Sequence, residues 1–590
     1  MCGIVGYAGR GKCAAKCVYE GLLRLEYRGY DSAGISVLDG GKITTVKRSG
    51  RVCQLESAAG GMSGGIAIGH TRWATHGAPS DINAHPHNYG AFSVVHNGII
   101  ENYAELKEEL AEGGRLCISE TDSEVIALLI DSLYSGDALA AVAAAAARLK
   151  GSFALAVLCR DFEGFIAVRL KSPVAIGECD GAFFAASDVP ALPAEAENVY
   201  FLEDGDIAAV TYDGIAFYDF GLNAQRRESC RIPRGQFTAD KGGYVHYMAK
   251  EIEEDARTIR DTAEAFLRSA DADALGSLLT SSDEIIITGC GTAYNSGLIA
   301  RRYFESALGR PVTVEIASEL RYYPPPVGKN TLVIAISQSG ETADTVEAVH
   351  KLREGGASVI AVTNCGYSAI TRIAHAVVPV CAGAEICVAA TKSYMGQLAA
   401  LYLISRCTGD VRAAAKELTD VAEMIPSVIS DDANADCFSD MCAESFAVFF
   451  LGRGADYDAA VEASLKLKEV SYIFSDAYPS GELKHGTLAL VDESTLSVFI
   501  ICQPETANKC LSAVHEVLCR GGRAAVLTSV PEAAEELGKY LPVWKLPKVS
   551  PRLAPFLSAA ALQRVAYLTA VRLGRNPDKP RNLAKSVTVE

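Results

Sequence analysis

Basic residues are in the minority in this chain. Its 590 residues include 55 lysines and arginines against 72 aspartates and glutamates, which gives a net charge of −17. A general nucleic-acid-binding protein needs a basic surface that displaces counterions from the phosphates. The charge balance therefore argues against a general nucleic-acid-binding protein, and we expect no nucleic-acid partner, although backbone amides at a helix N-terminus can still bind an anionic small molecule.

Long apolar runs and closely paired cysteines are also missing. No apolar stretch reaches the roughly 18 residues that a membrane-spanning helix requires, and the first residues lack the charged and apolar regions of a signal peptide. The 18 cysteines are scattered and never form Cys-x-x-Cys, so they do not indicate a zinc site. We expect a soluble, cytoplasmic protein with reduced thiols, no membrane association and no metal site.

The composition that remains is that of a globular protein, and the length predicts about three to five domains. Up to about residue 235, short apolar runs such as Phe92–His96 and Phe153–Cys159 alternate with glycine, aspartate and asparagine, a pattern typical of strands. Helices are predicted over Asp122–Leu133 and Ala138–Leu149. This part should be an α+β domain with antiparallel sheets and covering helices.

A linker and an internal repeat organise the rest of the chain. Residues 231–243 are rich in proline, glycine, lysine and arginine, which indicates a linker, and apolar residues spaced by three and four predict one amphipathic helix from Met248 to Phe266. The segment 289–295 matches 452–458 at an offset of 163, and 331–342 aligns with 495–506 at an offset of 164. Each copy alternates short apolar runs with helical patterns, including a helix over Ala459–Phe474, as in parallel α/β sheets.

These observations predict five segments. We expect a first domain over residues 1–235, a linker and helix over 236–275, α/β domains over 276–425 and 426–575, and a C-terminal tail over 576–590.

Polar residues near the N-terminus point to acyl-transfer chemistry. If the initiator methionine is removed, the Cys2 thiol lies beside a free α-amine that can act as its general base, although a cysteine there can also be merely buried. Arg72 can hold a carboxylate in a bidentate fork. Asn97 and Gly98 follow an apolar strand, where they form either an oxyanion hole or a hairpin turn. Asp122 either accepts a hydrogen bond from a substrate ammonium group or stabilises a helix N-terminus.

Four motifs resemble the class II glutamine amidotransferase domain, an N-terminal nucleophile fold that hydrolyses glutamine to glutamate and ammonia: Cys2–Gly6, Tyr27–Gly34, His70–Gly77 and His96–Ile100. The resemblance implies that Cys2 is the nucleophile and that Asn97 and Gly98 form the oxyanion hole. It also implies that glutamine is bound by Arg72, Thr75, His76 and Asp122. Trp73 resembles the residue that gates an ammonia channel.

The first repeat contains a predicted phosphate site. Ser337–Thr342 follows a buried strand and opens a helix, and its three hydroxyls, glycine and helix N-terminal amides are suited to a phosphate, although one serine could simply cap the helix. The equivalent Ile501–Thr506 has lost the two serine hydroxyls, so we expect phosphate only in the first repeat. In the second repeat Lys466 and Glu469 lie on one helix face, where a surface ion pair is the simpler interpretation.

The C-terminal motifs resemble the sugar isomerase domains of the isomerising glutamine–fructose-6-phosphate aminotransferases: Ser337–Thr342, Lys466–Glu469, Gly481–Gly486 and Arg581–Glu590. The resemblance implies a cofactor-free homodimer that converts fructose 6-phosphate and glutamine to glucosamine 6-phosphate and glutamate. Lys585 would form a Schiff base with the sugar, and His485 would open the ring across the dimer interface. Glu469 would move the proton between C1 and C2, assisted by Lys466. Phosphate contacts are implied for Ser337, Gln338, Ser339 and Thr342, and Thr292 is a further candidate contact to the sugar phosphate.

Two positions depart from the family pattern, because Ala293 and Ala390 stand where many relatives have serine.

Two other functions are the alternatives to this interpretation: an amidotransferase with another acceptor, and a non-catalytic sugar-phosphate sensor. The duplicated acceptor half argues against the first alternative. The joint presence of Cys2, Glu469, His485 and Lys585 argues against the second alternative.

Overall fold

The computed structural model describes residues 2–193, 195–196, 198–231 and 240–587. The chain divides into two compact units, one of residues 1–238 together with 586–590 and one of residues 239–585. The predicted boundary at residue 235, most of the predicted linker and the last three residues of the predicted tail lie outside the described residues. Within the described ranges, no helix is both long enough and apolar enough to cross a membrane.

Antiparallel strands form the framework of the first unit. In chain order they are β1 (Gly3–Ala8), β2 (Ser32–Asp39), β3 (Lys42–Ser49), β4 (Ile66–Arg72), β5 (His87–Tyr89), β6 (Phe92–Ile100), β7 (Gly151–Cys159), β8 (Gly164–Leu170), β9 (Ala175–Cys179), β10 (Ala182–Ala186), β11 (Asn198–Phe201), β12 (Ile207–Thr211), β13 (Ile215–Tyr218), β14 (Ala224–Gln225) and β15 (Cys230–Arg231). One sheet has the order β15-β11-β9-β10-β1-β4-β2-β3, and the other has the order β14-β13-β12-β8-β7-β6-β5.

The two sheets of this unit face each other across a core and carry helices on their outer faces. Ile4 and Ile68 of one sheet share a buried cluster with Val95 and Phe165 of the other. The helices are α1 (Ala14–Leu25), α2 (Glu56–Ala59), α3 (Tyr103–Glu112), α4 (Glu124–Leu133) and α5 (Ala138–Ala146). Helix α1 packs on β1 and β4, and α4 packs on β5 and β6. This layered arrangement confirms the predicted α+β class with antiparallel sheets.

The second unit is built on parallel strands and many helices. Its strands are β16 (Glu284–Gly289), β17 (Thr313–Ile316), β18 (Thr331–Ser337), β19 (Ser358–Thr363), β20 (Ala376–Pro379), β21 (Ala447–Gly452), β22 (Phe474–Pro479), β23 (Thr495–Ile501), β24 (Arg523–Thr528) and β25 (Val543–Lys545). Its helices are α6 (Tyr247–Glu253), α7 (Asp255–Ser269), α8 (Ala272–Ser281), α9 (Thr292–Leu308), α10 (Ala317–Leu320), α11 (Ala343–Glu354), α12 (Ala369–Ile373), α13 (Lys392–Ser405), α14 (Val411–Ile429), α15 (Asp432–Ala443), α16 (Ala455–Ser471), α17 (Pro504–Leu518), α18 (Pro531–Leu537) and α19 (Ala554–Arg572).

Two parallel sheets of the same topology confirm the internal repeat. Their orders are β17-β16-β18-β19-β20 and β22-β21-β23-β24-β25. In the first copy Gly291 links β16 to α9 with φ 54°, and in the second Gly454 links β21 to α16 with φ 60°. Because both turns use the left-handed region that favours glycine, the glycines shared by the two sequence motifs have the same backbone role.

Three predicted details were wrong. The helix predicted from Met248 to Phe266 is two helices, α6 and α7, divided at Glu254. The helix predicted over Ala459–Phe474 is α16, which ends at Ser471 because Tyr472 adopts a left-handed φ of 67°. Asn97 and Gly98 do not lie at a strand end or in a turn; they are inside β6, where Gly98 pairs with Phe153 of β7.

Candidate functional site

Cys2 directly precedes β1, and its half-buried thiol is held by a backbone group. The Trp73 N–H donates to Cys2 Sγ at 3.4 Å. The Cys2 carbonyl accepts hydrogen bonds from Asn97 Nδ2 at 3.2 Å and from Arg28 Nε at 3.3 Å. Burial raises the pKa of the Cys2 thiol, while the Trp73 N–H and Arg72 partly offset this effect. The thiol therefore needs a base to become a nucleophile.

The Asn97 side chain contacts this cysteine, and Gly98 follows Asn97 within β6. Asn97 is only 5% exposed, and its Oδ1 lies 3.1 Å from His70 Nε2 while its Nδ2 faces Cys2. Gly98 has a φ of 126°, and a Cβ at this position would lie 1.9 Å from the Ser152 carbonyl. No other residue fits there, because the strand approaches its neighbour too closely.

Arg72 ends β4 with one guanidinium nitrogen free for a ligand. Its Nη2 donates to the His76 carbonyl and, at 3.0 Å, to the Gly77 carbonyl. Its Nη1 is buried and has no hydrogen-bond partner among the described residues. Thr75 is exposed in the same loop, and the Trp73 ring packs edge-on against Tyr30 at 5.5 Å.

Asp122 is buried two residues before α4. Its Oδ2 accepts from the Ile100 N–H at 2.9 Å. Arg72 lowers the pKa of the Cys2 thiol and Asp122 raises it, so both charges act on the same sulfur. The first unit thus combines a thiol, two N–H donors, a cation and a carboxylate, which suits attack on the amide of an α-amino acid.

In the second unit, the predicted phosphate turn joins β18 to α11. Ser337 Oγ lies 3.0 Å from Thr342 Oγ1 and accepts the Gly340 N–H, while Ser339 Oγ accepts the Glu341 N–H at 3.2 Å. Gln338 and Ser339 are half-buried. Since β16 and β18 are neighbouring parallel strands, this turn and Thr292 lie at the same carboxyl edge of the sheet, where open α/β sheets bind ligands.

The equivalent turn of the second repeat is occupied by a carboxylate of the chain itself. Asp456 Oδ2 accepts from the Cys502 N–H at 2.8 Å and from the Gln503 N–H at 3.0 Å. In the first repeat the residue equivalent to Asp456 is Ala293, which has no carboxylate to offer. The Asp456 carboxylate therefore uses two amides of this turn in the second repeat, and Ala293 cannot do the same in the first.

Helix α16 carries a buried charge cluster. Lys466 is 1% exposed, and its Nζ lies 2.6 Å from Glu469 Oε2 and 3.6 Å from Glu462 Oε1. Glu462 also accepts hydrogen bonds from Thr292 at 3.1 Å and from Asn295 at 2.7 Å. Burial alone would lower the pKa of Lys466, but Glu469 and Glu462 outweigh it and raise the pKa. Lys466 is a buried ammonium, so the simpler interpretation as a surface ion pair was wrong.

Lys585 is buried in a second charge cluster. Its Nζ lies 2.5 Å from Glu385 Oε2, and the two side chains are 4% and 0% exposed. Burial raises the pKa of Glu385, but Lys585 and the hydrogen bonds from Ser393 lower it by more. Cys387 interacts electrostatically with both Lys466 and Lys585, so the two clusters belong to one region.

The tail that carries Lys585 is anchored, whereas His485 is not. Asp578 accepts from the Tyr247 and Met248 N–H groups, both at 2.9 Å, and so caps the start of α6. His485 ends a short 3-10 helix, is exposed, and makes no hydrogen bond to Lys585 or Glu469 within the described part of the chain.

Sequence reasoning missed several residues of these sites. They are His70 and Arg28 in the first unit, and Glu385, Glu251, Glu462 and Asp456 in the second. All are polar residues that are nearly fully buried, and each contacts a residue far away in the chain. The placement of His70 and Arg28 inside the quoted motifs, and of Asp456 inside the repeated segment 452–458, was a signal that could have found them.

Comparison with known proteins agrees with this arrangement. A family model described as a glutamine amidotransferase domain matches residues 70–194, and one described as a SIS domain matches residues 278–405 and 442–540. The chain is 43% identical to the glutamine–fructose-6-phosphate aminotransferase (isomerizing) of Clostridium tetani, with 100% of both chains covered. It is 44% identical to the protein of the same name from Caldanaerobacter subterraneus, again with 100% of both covered.

A solved structure supports the assignment of the second unit to SIS domains. The C-terminal domain of glucosamine-fructose-6-phosphate aminotransferase from Francisella tularensis is 35% identical, with a TM-score of 0.55. The match covers 58% of this chain and 100% of that chain.

Proposed function

The chain belongs to the family of isomerising glutamine–fructose-6-phosphate aminotransferases, and we propose that its two units carry the two half-reactions at the sites described above. It is an enzyme that uses glutamine to convert fructose 6-phosphate to glucosamine 6-phosphate, with glutamate as the second product. Glutamine hydrolysis belongs to the amidotransferase domain, and the sugar chemistry belongs to the two SIS domains.

In the first unit, Cys2 attacks the side-chain amide of glutamine after removal of the initiator methionine, and its own α-amine accepts the thiol proton. The Asn97 Nδ2 and the Gly98 N–H stabilise the oxyanion. The unpartnered Nη1 of Arg72 binds the α-carboxylate and Asp122 binds the α-ammonium, with Thr75 and His76 completing the pocket. The buried, unused hydrogen-bonding capacity of Arg72 supports this assignment.

In the second unit, Lys585 forms an imine with C2 of fructose 6-phosphate and water is released. Ammonia then displaces the lysine amine from C2, and Glu469 moves the proton from C1 to C2, which gives the aldehyde at C1 and the amine at C2. Lys466 is too tightly paired to act as a base, so its role is to orient Glu469 and to stabilise negative charge on the sugar oxygens. Ser337, Gln338, Ser339 and Thr342 bind the phosphate together with Thr292. The occupation of the second turn by Asp456 supports a single phosphate site per chain.

Several finer properties are also part of the proposal. The enzyme acts as a homodimer in which His485 opens the sugar ring in the site of the other subunit; its exposure in the single chain supports this role. Ammonia passes to the sugar without release to water, with Trp73 as the gate. We place the enzyme in the cytoplasm, where its eighteen free cysteine thiols stay reduced.

The buried Lys585–Glu385 pair is the observation that carries the proposal, because a lysine in a tail is normally exposed. Two variants test the division of labour. Cys2→Ala should abolish glutamine-dependent synthesis and leave phosphosugar isomerisation intact, whereas Lys585→Ala should stop aminosugar formation and leave glutamine hydrolysis. Loss of isomerisation in Cys2→Ala, or normal synthesis in Lys585→Ala, would contradict the proposal.

A further inference from the structure

A buried histidine contacts the amide that is proposed to stabilise the oxyanion. His70 is 0% exposed on β4, and its Nε2 lies 3.1 Å from Asn97 Oδ1 and 2.9 Å from the His96 carbonyl oxygen. A backbone carbonyl can only accept, so Nε2 must carry the hydrogen. That hydrogen also faces Asn97, whose amide must then present its oxygen to His70 and its nitrogen to Cys2.

We propose that His70 is a positioning residue for glutamine hydrolysis: it fixes the orientation of the Asn97 amide so that Nδ2 points toward the reacting carbonyl. The inference rests on the proposed role of Asn97 in the oxyanion hole. It assigns His70 a purpose that its burial alone does not explain.

The orientation matters because the two ends of an asparagine amide have opposite effects on an oxyanion. Nδ2 carries two hydrogens; one reaches the Cys2 carbonyl at 3.2 Å, and the other remains for the substrate. If the amide turned over, Oδ1 would face both the Cys2 carbonyl and the developing negative charge, and each contact would be repulsive. His70 prevents this rotation by offering a donor that only Oδ1 can accept.

The surroundings of His70 keep its ring neutral and fixed. Its ring stacks on that of His85 at 4.1 Å, and His85 contacts the rings of His87 and His96. Burial, followed by the electrostatic interaction with His96, lowers the pKa of His70 to about 3. The ring therefore does not titrate at working pH, and its Nδ1 has no hydrogen-bond partner among the described residues. A neutral, immobile donor is what a positioning role requires.

The same cluster also holds the loop that carries Asp122. His96 Nδ1 lies 2.8 Å from Ser123 Oγ, and His87 Nε2 lies 3.2 Å from Thr121 Oγ1. Neutral imidazoles thus connect the oxyanion amide to the loop that is proposed to bind the substrate ammonium. This connection explains why several polar rings replace apolar side chains in this part of the core.

A double-mutant cycle on glutamine hydrolysis tests the proposal, with His70→Phe, Asn97→Ala and the double variant. Losing an oxyanion donor costs about 10²–10³ in kcat, so we expect His70→Phe to lower kcat by about tenfold to a hundredfold. The KM for glutamine should stay within about twofold because Arg72 and Asp122 are untouched. The double variant should be no slower than Asn97→Ala alone, since His70 acts only through Asn97.

A second variant separates the donor from the packing of the ring. In His70→Gln the side-chain nitrogen can reach the position of the imidazole Nε2, so this variant should recover most of the kcat that His70→Phe loses. The pH profile of kcat should be unchanged in both variants, because His70 does not exchange a proton.

Three results would overturn the inference: additive losses in the double variant, equal losses in His70→Gln and His70→Phe, or a shifted pH profile. Full hydrolysis by Asn97→Ala would instead refute the proposed oxyanion hole itself, so the two failures can be told apart.

Discussion

Lys585 and Glu385 form a buried ion pair, with Nζ 2.5 Å from Oε2, although the two residues are 200 positions apart. Glu385 also accepts hydrogen bonds from the Thr391 N–H, the Ser393 N–H and the Ser393 hydroxyl. The carboxylate is therefore fixed in place by the start of α13, and Lys585 is held by it. This pair ties the C-terminal tail to the first sugar isomerase repeat.

Replacing Glu385 by alanine should harm both stability and sugar chemistry. Removing one partner of a buried pair leaves an uncompensated charge and costs about 3–5 kcal/mol. We expect the unfolding midpoint of the second unit to fall and glucosamine 6-phosphate formation to be lost, while glutamine hydrolysis continues. Asp420→Ala is the matched control, because it breaks the exposed Lys416–Asp420 pair, whose loss should leave the unfolding midpoint nearly unchanged. Equal shifts of the unfolding midpoint in the two variants would show that burial of the Lys585–Glu385 pair does not contribute to stability.

Glu251 should make stability depend on pH. Burial and the neighbouring Glu385 raise its pKa from 4.5 to about 8, against the opposing charges of Lys585 and Lys392. Between these values the folded chain retains a proton that the unfolded chain releases. Raising the pH therefore favours unfolding by up to about 1.4 kcal/mol per pH unit.

Comparison with Glu251→Gln measures this effect. The variant can still accept from the Ile386 N–H but does not titrate. The stability of the native chain relative to the variant should fall as the pH rises from 4.5 to about 8 and then become constant. Thermal unfolding of both proteins at several pH values checks this, and parallel curves would refute it.

Ser339→Ala should weaken sugar binding and leave glutamine hydrolysis unaffected. A hydrogen bond to a charged group contributes about 1.5–3 kcal/mol, so we expect the KM for fructose 6-phosphate to rise by about tenfold to a hundredfold. The matched control is Gln503→Ala, at the equivalent position of the second repeat, where Asp456 occupies the turn. A comparable rise in that control would mean that both repeats bind the sugar phosphate.

Repeating patterns in the sequence were sufficient to predict much of the fold. Gly291 and Gly454 mark the same turn in both repeats, and alternating apolar runs predicted the parallel sheets. The single helix expected from Met248 to Phe266 was wrong because periodicity records an apolar face and not the break at Glu254. That residue binds the distant Lys392 at 2.6 Å, a contact that local spacing cannot reveal.

The same limit applies to the sites, because contacts between distant residues cannot be recognised from local sequence. Asn97 was placed at a strand end because a polar residue normally ends an apolar run, yet it is buried inside β6 by contacts with His70 and Cys2. Glu385 was missed because its partner is Lys585, at the other end of the second unit. Residues with a role in the family motifs could be proposed from the sequence, whereas buried partners such as His70 and Glu385, whose contacts form only in the folded chain, could not.

The central claim is that glutamine hydrolysis supplies the nitrogen of the aminosugar. The most direct test incubates the purified enzyme with fructose 6-phosphate and glutamine and measures glutamate and glucosamine 6-phosphate together. The account predicts equal amounts of both products, with neither formed at that rate by Cys2→Ala. Glutamate without glucosamine 6-phosphate, after removal of the initiator methionine has been verified by mass, would contradict it.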